Sequence, residues 1–163
     1  MKGLPNLSLL VLLALLPLDL LRAAEPPPWS RAYDPARDPF ADGREAIALA
    51  QATGRRVLIE LGGDWCVWCH RLDRFLERNP EVRAALERRF VLLKVNVSEE
   101  NGNDEFLAGL PRVAGYPHLF VADGDGTVIH SQDMGELVEG GRYSAERFLA
   151  FVERWGGMDH AAR

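Results

Sequence analysis

Apolar and polar positions along this chain alternate with two different periods. In DGREAIALAQATG, Asp42 to Gly54, the residues Ile47, Leu49 and Ala50 recur at helical spacing, and Gly54 stands where a helix stops. Val57 to Leu61 then form a short apolar run rich in branched residues, which predicts a buried strand. CVWCHRLDRFLERN, Cys66 to Asn79, predicts a helix with Cys69, Leu72 and Leu76 on one face. Asn79-Pro80 breaks it. Asn79 is placed to cap a second helix with Pro80 at its first position and Val82, Ala85 and Leu86 turned inward. FVLLKVNV, from Phe90, predicts a second buried strand, and a short helix follows from Asn103 to Leu110, ended by Pro111. HLFVAD and TVIHSQ flank DGDG, a hairpin signal. Ser144 is placed to cap a last helix whose Phe148, Phe151, Val152 and Trp155 make one stripe. Strands alternating with helices imply a parallel pair joined by a crossover, and the hairpin adds an antiparallel edge. The expected fold class is therefore α/β, a central mixed β-sheet flanked by helices.

The N-terminal residues follow another pattern. Lys2 precedes an almost wholly apolar run from Leu7 to Leu16, interrupted afterwards by Pro17 and Asp19, and small residues Ala23 and Ala24 follow. That order predicts a signal peptide over residues 1–23 and export, most simply to a bacterial periplasm. The run is short for a spanning helix, although an uncleaved anchor shares the same apolar length. Residues 24–40 are rich in proline, with five between Glu25 and Pro39, and predict an extended leader. The folded domain is expected over residues 41–157, with a tail at 158–163.

Charge and cysteine content narrow the chemistry. The formal charge of -5 gives no electrostatic case for nucleic acid, and nothing in the sequence sets the oligomeric state. The chain has 2 cysteines, Cys66 and Cys69, too few and too close to staple a small secreted fold. They mark a site. Cys66 falls where strand turns into helix, where free N–H groups and the helix dipole favour a thiolate. Cys69, one turn on, is at a suitable separation for a disulfide. Cys66 is then the exposed nucleophile and Cys69 the resolving thiol. His70 shares a face with Cys66 and, protonated, would favour the thiolate. The same residues also spell C-x-x-C-H, the attachment signature of c-type haem. Two thiols and scattered histidines make a poor zinc set, and DGDG lacks the further acidic ligands of a calcium loop.

Further residues around the pair carry a resemblance. WCVWC, the preceding strand with Glu60 six residues before Cys66, Lys94 in LLKVNV, and VAGYP, Val113 to Pro117, together resemble the thioredoxin superfamily over roughly Asp42 to Trp155. The likeness is greatest to exported thioredoxin-like domains, including the reducing C-terminal domain of transmembrane disulfide reductases. It implies a thioredoxin fold and thiol–disulfide exchange without a cofactor. It assigns Glu60 as the buried acid that relays the resolving cysteine's proton and Lys94 as its partner. It places a cis bond at Pro117, with Trp65, Tyr116 and Pro117 facing substrate. Clients would be disulfide-containing proteins, and a reductase would need a membrane or soluble thiol donor. Val67-Trp68 between the cysteines, Tyr116 before the proline and His70 after Cys69 depart from thioredoxin itself, so the redox poise is not implied. A haem carrier and a redox-silent binding or chaperone module remain the alternatives.

Overall fold

The computed structural model describes residues 25–157; the expected signal peptide and tail lie outside the described residues. Helix α1 spans Pro39–Thr53, strand β1 Arg56–Gly62, helix α2 Val67–Arg78, helix α3 Pro80–Arg89 and strand β2 Phe90–Asn96. A short helix α4 (Asp104–Ala108) leads to strands β3 (His118–Ala122) and β4 (Val128–Gln132). A two-stranded ribbon of β5 (Val138–Glu139) and β6 (Arg142–Tyr143) precedes helix α5 (Ala145–Trp155).

The main sheet has the order β2-β1-β3-β4. β1 runs parallel to β2 and antiparallel to β3, which pairs antiparallel with β4. This is the mixed sheet that the pattern predicts. The parallel pair needs a crossover, which α2 and α3 supply. Alternation along β1 divides the core in two. Val57, Ile59 and Leu61 pack with Ala46 and Ala50 of α1, while Leu58 packs with Leu72, Val82, Phe148 and Phe151 from α2, α3 and α5. The stripe of α1 that is fully buried is Ala46 and Ala50, with Ile47 and Leu49 only partly covered. Small side chains there let the helix lie close on the sheet.

Three local expectations need correction. The proline-rich segment is not simply extended. It contains a 3-10 turn at Pro28–Ser30, and Trp29 and Tyr33 are buried in the folded unit. Its last proline, Pro39, opens α1, with the Asp38 carboxylate accepting the Phe40 N–H at 2.9 Å. Asp-Pro is a helix start, because proline at the first helical position sacrifices no bond. Asn79 does not cap α3 with its side chain, which reaches back to donate to the Phe75 carbonyl of α2 at 2.7 Å. Ser144 precedes α5 without a side-chain cap bond. At the hairpin, Gly126 adopts φ 88° and its N–H donates to the Asp123 carbonyl, a tight turn as expected.

Candidate active site

Cys66 is the N-cap of α2, in extended conformation, and its Sγ accepts the Cys69 N–H at 3.1 Å. The helix therefore turns a first-turn N–H on the sulfur, shared with the Cys66 carbonyl at 3.1 Å. Cys66 and Cys69 are joined in a disulfide with Cα atoms 5.3 Å apart. Exposure differs from the expectation. Cys66 is 3% exposed and Cys69 0%, because Tyr33 and Tyr116 pack against the pair. The nucleophile is nearly covered in the oxidised state.

Behind the pair lies a buried polar group. Glu60 sits on the face of β1 turned toward α2, 2% exposed, opposite Lys94 in the register of the parallel strands. Lys94 Nζ stands 4.0 Å from the Glu60 carboxylate and donates to Asp73 Oδ1 at 2.7 Å. The Tyr33 hydroxyl donates to Glu60 Oε1. Burial pushes the Glu60 carboxyl above its ordinary range, against the opposing pull of Lys94 and the Tyr33 hydrogen bond. For Lys94, burial acts downward, but the Glu60 and Asp73 carboxylates outweigh it and hold the amine above its usual value. Burial and the adjacent Glu60 charge also raise the Tyr33 phenol well above the ordinary tyrosine range.

The rim is aromatic. Trp65 is 56% exposed, meets Tyr116 edge to face at 5.6 Å between centroids, and donates its indole N–H to the Val97 carbonyl at 2.6 Å. The Tyr116–Pro117 bond is cis. Trp68 packs edge-on against Tyr143, under the Arg71 guanidinium. The His70 ring donates from Nε2 to the Asp64 carbonyl at 2.7 Å, so it ties down the turn before Cys66.

Sequence reasoning places Cys66, Cys69, Glu60, Lys94, Trp65, Tyr116 and Pro117 in one region, and the structure brings them together there. It misses three residues. Tyr33 lay in the segment read as a leader. Asp73 lies two turns along α2 from Cys66, on the same side, and the spacing could have revealed it. Gly62, the last residue of β1, has room for no side chain, since a Cβ there would lie 2.6 Å from Cys69 Sγ and 2.7 Å from the Tyr33 ring.

A mixed sheet with helices on both faces, a C-x-x-C pair at a helix start and a buried acid–lysine pair behind it define a thiol–disulfide oxidoreductase of the thioredoxin class. The chain belongs to the thioredoxin-like family, whose family model matches residues 38–124. Over 108 residues it is 32% identical to the thiol:disulfide interchange protein DsbD of Klebsiella pneumoniae, covering 66% of this chain and 17% of that protein. DsbD of Escherichia coli K12 is 35% identical over 79 residues, 48% of this chain and 14% of that protein. The chain thus spans about a sixth of the length of these relatives. Among solved structures, a disulphide isomerase from Xylella fastidiosa matches with TM-score 0.64 and 27% identity over 81% of this chain and 98% of that one. The oxidised C-terminal domain of Neisseria meningitidis DsbD shares the fold, with TM-score 0.55 and 21% identity over 72% and 96% of the two chains.

Proposed function

We propose that this protein is an exported reductase of protein disulfides. The Cys66 thiolate attacks a client disulfide and forms a mixed disulfide; the Cys69 thiolate then attacks Cys66 Sγ, and the client leaves with both its sulfurs reduced. A membrane or soluble thiol donor returns two electrons to the pair. No cofactor takes part. Glu60 relays the proton of Cys69, and Lys94 holds Glu60 in place. Trp65, Tyr116 and Pro117 form the face on which client backbone rests. His70 modulates the pair by fixing the Asp64 turn and, when protonated, by favouring the thiolate.

The observation that carries this reading is the cap bond to Cys66 Sγ combined with the buried carboxylate behind the pair. The cap activates Cys66 as an attacking thiolate. The charges support a direction. Glu60 and Asp73 set two acids against the single Lys94 amine behind the pair; net negative charge there destabilises thiolates, and so the reduced pair, making the couple more reducing. That supports reduction of clients over oxidation. Export is supported by the apolar N-terminus and by the likeness to DsbD, whose C-terminal domain shares the fold. The haem alternative fits poorly. A porphyrin joined to both sulfurs would need the space against the pair that the Tyr33 and Tyr116 rings fill.

Equilibration of the purified protein with glutathione or a dithiol buffer tests the direction. A reductase should settle near the thioredoxin end of the C-x-x-C range, about −270 mV, and an oxidant near −120 mV. A potential at the upper end would reverse the assignment. Failure to exchange at all would leave a binding module.

A further inference from the structure

Tyr33 enters the site from outside the strand–helix unit that carries the cysteines. It lies before α1, yet its ring packs on Cys66 and Cys69 and its hydroxyl donates to Glu60. The single point that a Cβ on Gly62 would occupy lies 2.7 Å from the Tyr33 oxygen and 2.6 Å from Cys69 Sγ. The phenol oxygen therefore lies no more than about 5.3 Å from the resolving sulfur, and it is already bonded to the acid. Lys94 Nζ sits 4.9 Å from the centre of the same ring and donates to Asp73 at 2.7 Å.

We propose that Tyr33 carries the proton between Cys69 and Glu60. Within the exchange reading, on which this rests, the step balances. In the mixed disulfide, the Cys69 S–H passes its proton to the Tyr33 oxygen while the Tyr33 O–H passes its own to the Glu60 carboxylate. The phenol ends as it began. The Cys69 thiolate then bonds to Cys66 Sγ, the bond from Cys66 to the client breaks, and the client departs as a thiolate. Tyr33 works as a neutral relay, since burial and the Glu60 charge oppose its ionisation. The arrangement makes the segment before α1 part of the chemistry.

The test uses the full chain with Tyr33→Phe, Glu60→Gln and both together. Release of client from a preformed mixed disulfide is followed from mildly acid to alkaline pH. Tyr33→Phe should slow release about 10-fold near neutral pH, with the deficit shrinking at high pH where Cys69 ionises unaided. The double variant should be no slower than either single one, because both remove one path. The Glu60 carboxyl, read by carbon-13 resonance, should titrate higher in Tyr33→Phe, having lost a donor. Release at the wild-type rate with an unchanged pH profile would overturn the relay. If wild-type protein exchanges no disulfide, the exchange reading fails by itself; an unshifted Glu60 titration then overturns the Tyr33 assignment, and a raised one supports the coupling. Should Tyr33→Phe not fold, a fluorotyrosine at the same position keeps ring and hydroxyl but acidifies the phenol. A displaced pH profile for release then supports the relay, and an undisplaced one overturns it.

Discussion

At Gly62 the site has no room for a methyl group. A Cβ would press on Cys69 Sγ and on the Tyr33 ring, neither of which is the free end of a flexible chain. Gly62→Ala should destabilise the protein by about 1–3 kcal/mol, the usual penalty for overpacking, read from the midpoint of urea unfolding. Wild-type stability would mean that Tyr33 withdraws easily, and the packing argument would be lost. The proposed exchange divides the cysteines by role. Cys66→Ser should abolish reduction of a protein disulfide, while Cys69→Ser should accumulate mixed disulfides visible on a non-reducing gel. Full activity in the first variant refutes the nucleophile assignment. Glu60 makes a prediction about stability. Its folded pKa lies above its unfolded one, so at pH values between the two the native state holds a proton that the unfolded chain has released, while above the folded value both are ionised. The stability this gives is complete below the unfolded glutamate range and is lost as pH rises toward the raised folded value, at up to about 1.4 kcal/mol per pH unit. Glu60→Gln should match wild type in acid and become the more stable of the two at neutral pH, with Lys94 still held by Asp73. Parallel unfolding curves at all pH values would show that Glu60 keeps its ordinary pKa.

The segment before α1 was the least legible element. Five prolines between Glu25 and Pro39 bar a central strand and the interior of a helix, although the last of them opens α1. They do not rule out burial. Trp29 is 2% exposed, packs beside Ala46 and Ala50, and its indole N–H donates to Glu45 at 3.0 Å. Asn101 donates to the Pro35 carbonyl at 2.8 Å, tying the segment to the loop after β2. Periodicity cannot find such an element, since a chain anchored by single aromatic residues has no period. Trp29→Ala should cost about 3–5 kcal/mol, as buried tryptophan truncations do, and lower the melting temperature accordingly. A loss below 1 kcal/mol would return the segment to the status of a leader. The strands and long helices were legible because each buries a face with its own period: Leu72 of α2 and Phe148, Phe151 and Val152 of α5 are buried where the stripes place them. The ribbon of β5 and β6 has two residues per strand, too short to show alternation.

Seen as a whole molecule, the site was legible to the extent that the chemistry is local in sequence. Cys66, Cys69 and Trp65 are neighbours along the chain, and Glu60 and Lys94 stand out as charges inside apolar strands. The contributions of Tyr33 and Gly62 depend on how separate segments meet, which no spacing encodes. The same convergence shapes the outer surface. Trp65 and Val67, at 56% and 60% exposed, flank Cys66 in sequence and, with Trp68, set a patch of apolar side chains around the disulfide. Such residues elsewhere in the described chain lie mostly inside it. An exposed apolar patch around a reactive sulfur suits a protein client, which can bury Trp65, better than a small disulfide, which meets only the sulfur edge. Trp65→Ala should therefore raise KM for a protein disulfide about 10-fold, equivalent to about 1.4 kcal/mol of lost contact, while leaving kcat within about 2-fold. Exchange with oxidised glutathione should change by less than about 2-fold, since that substrate gains little from the indole. The indole also donates to the Val97 carbonyl, so a melting curve of the variant accompanies the kinetics. Equal losses for both substrates would move Trp65 from docking to support of the Cys66 turn, and no loss for the protein client would remove it from the docking face.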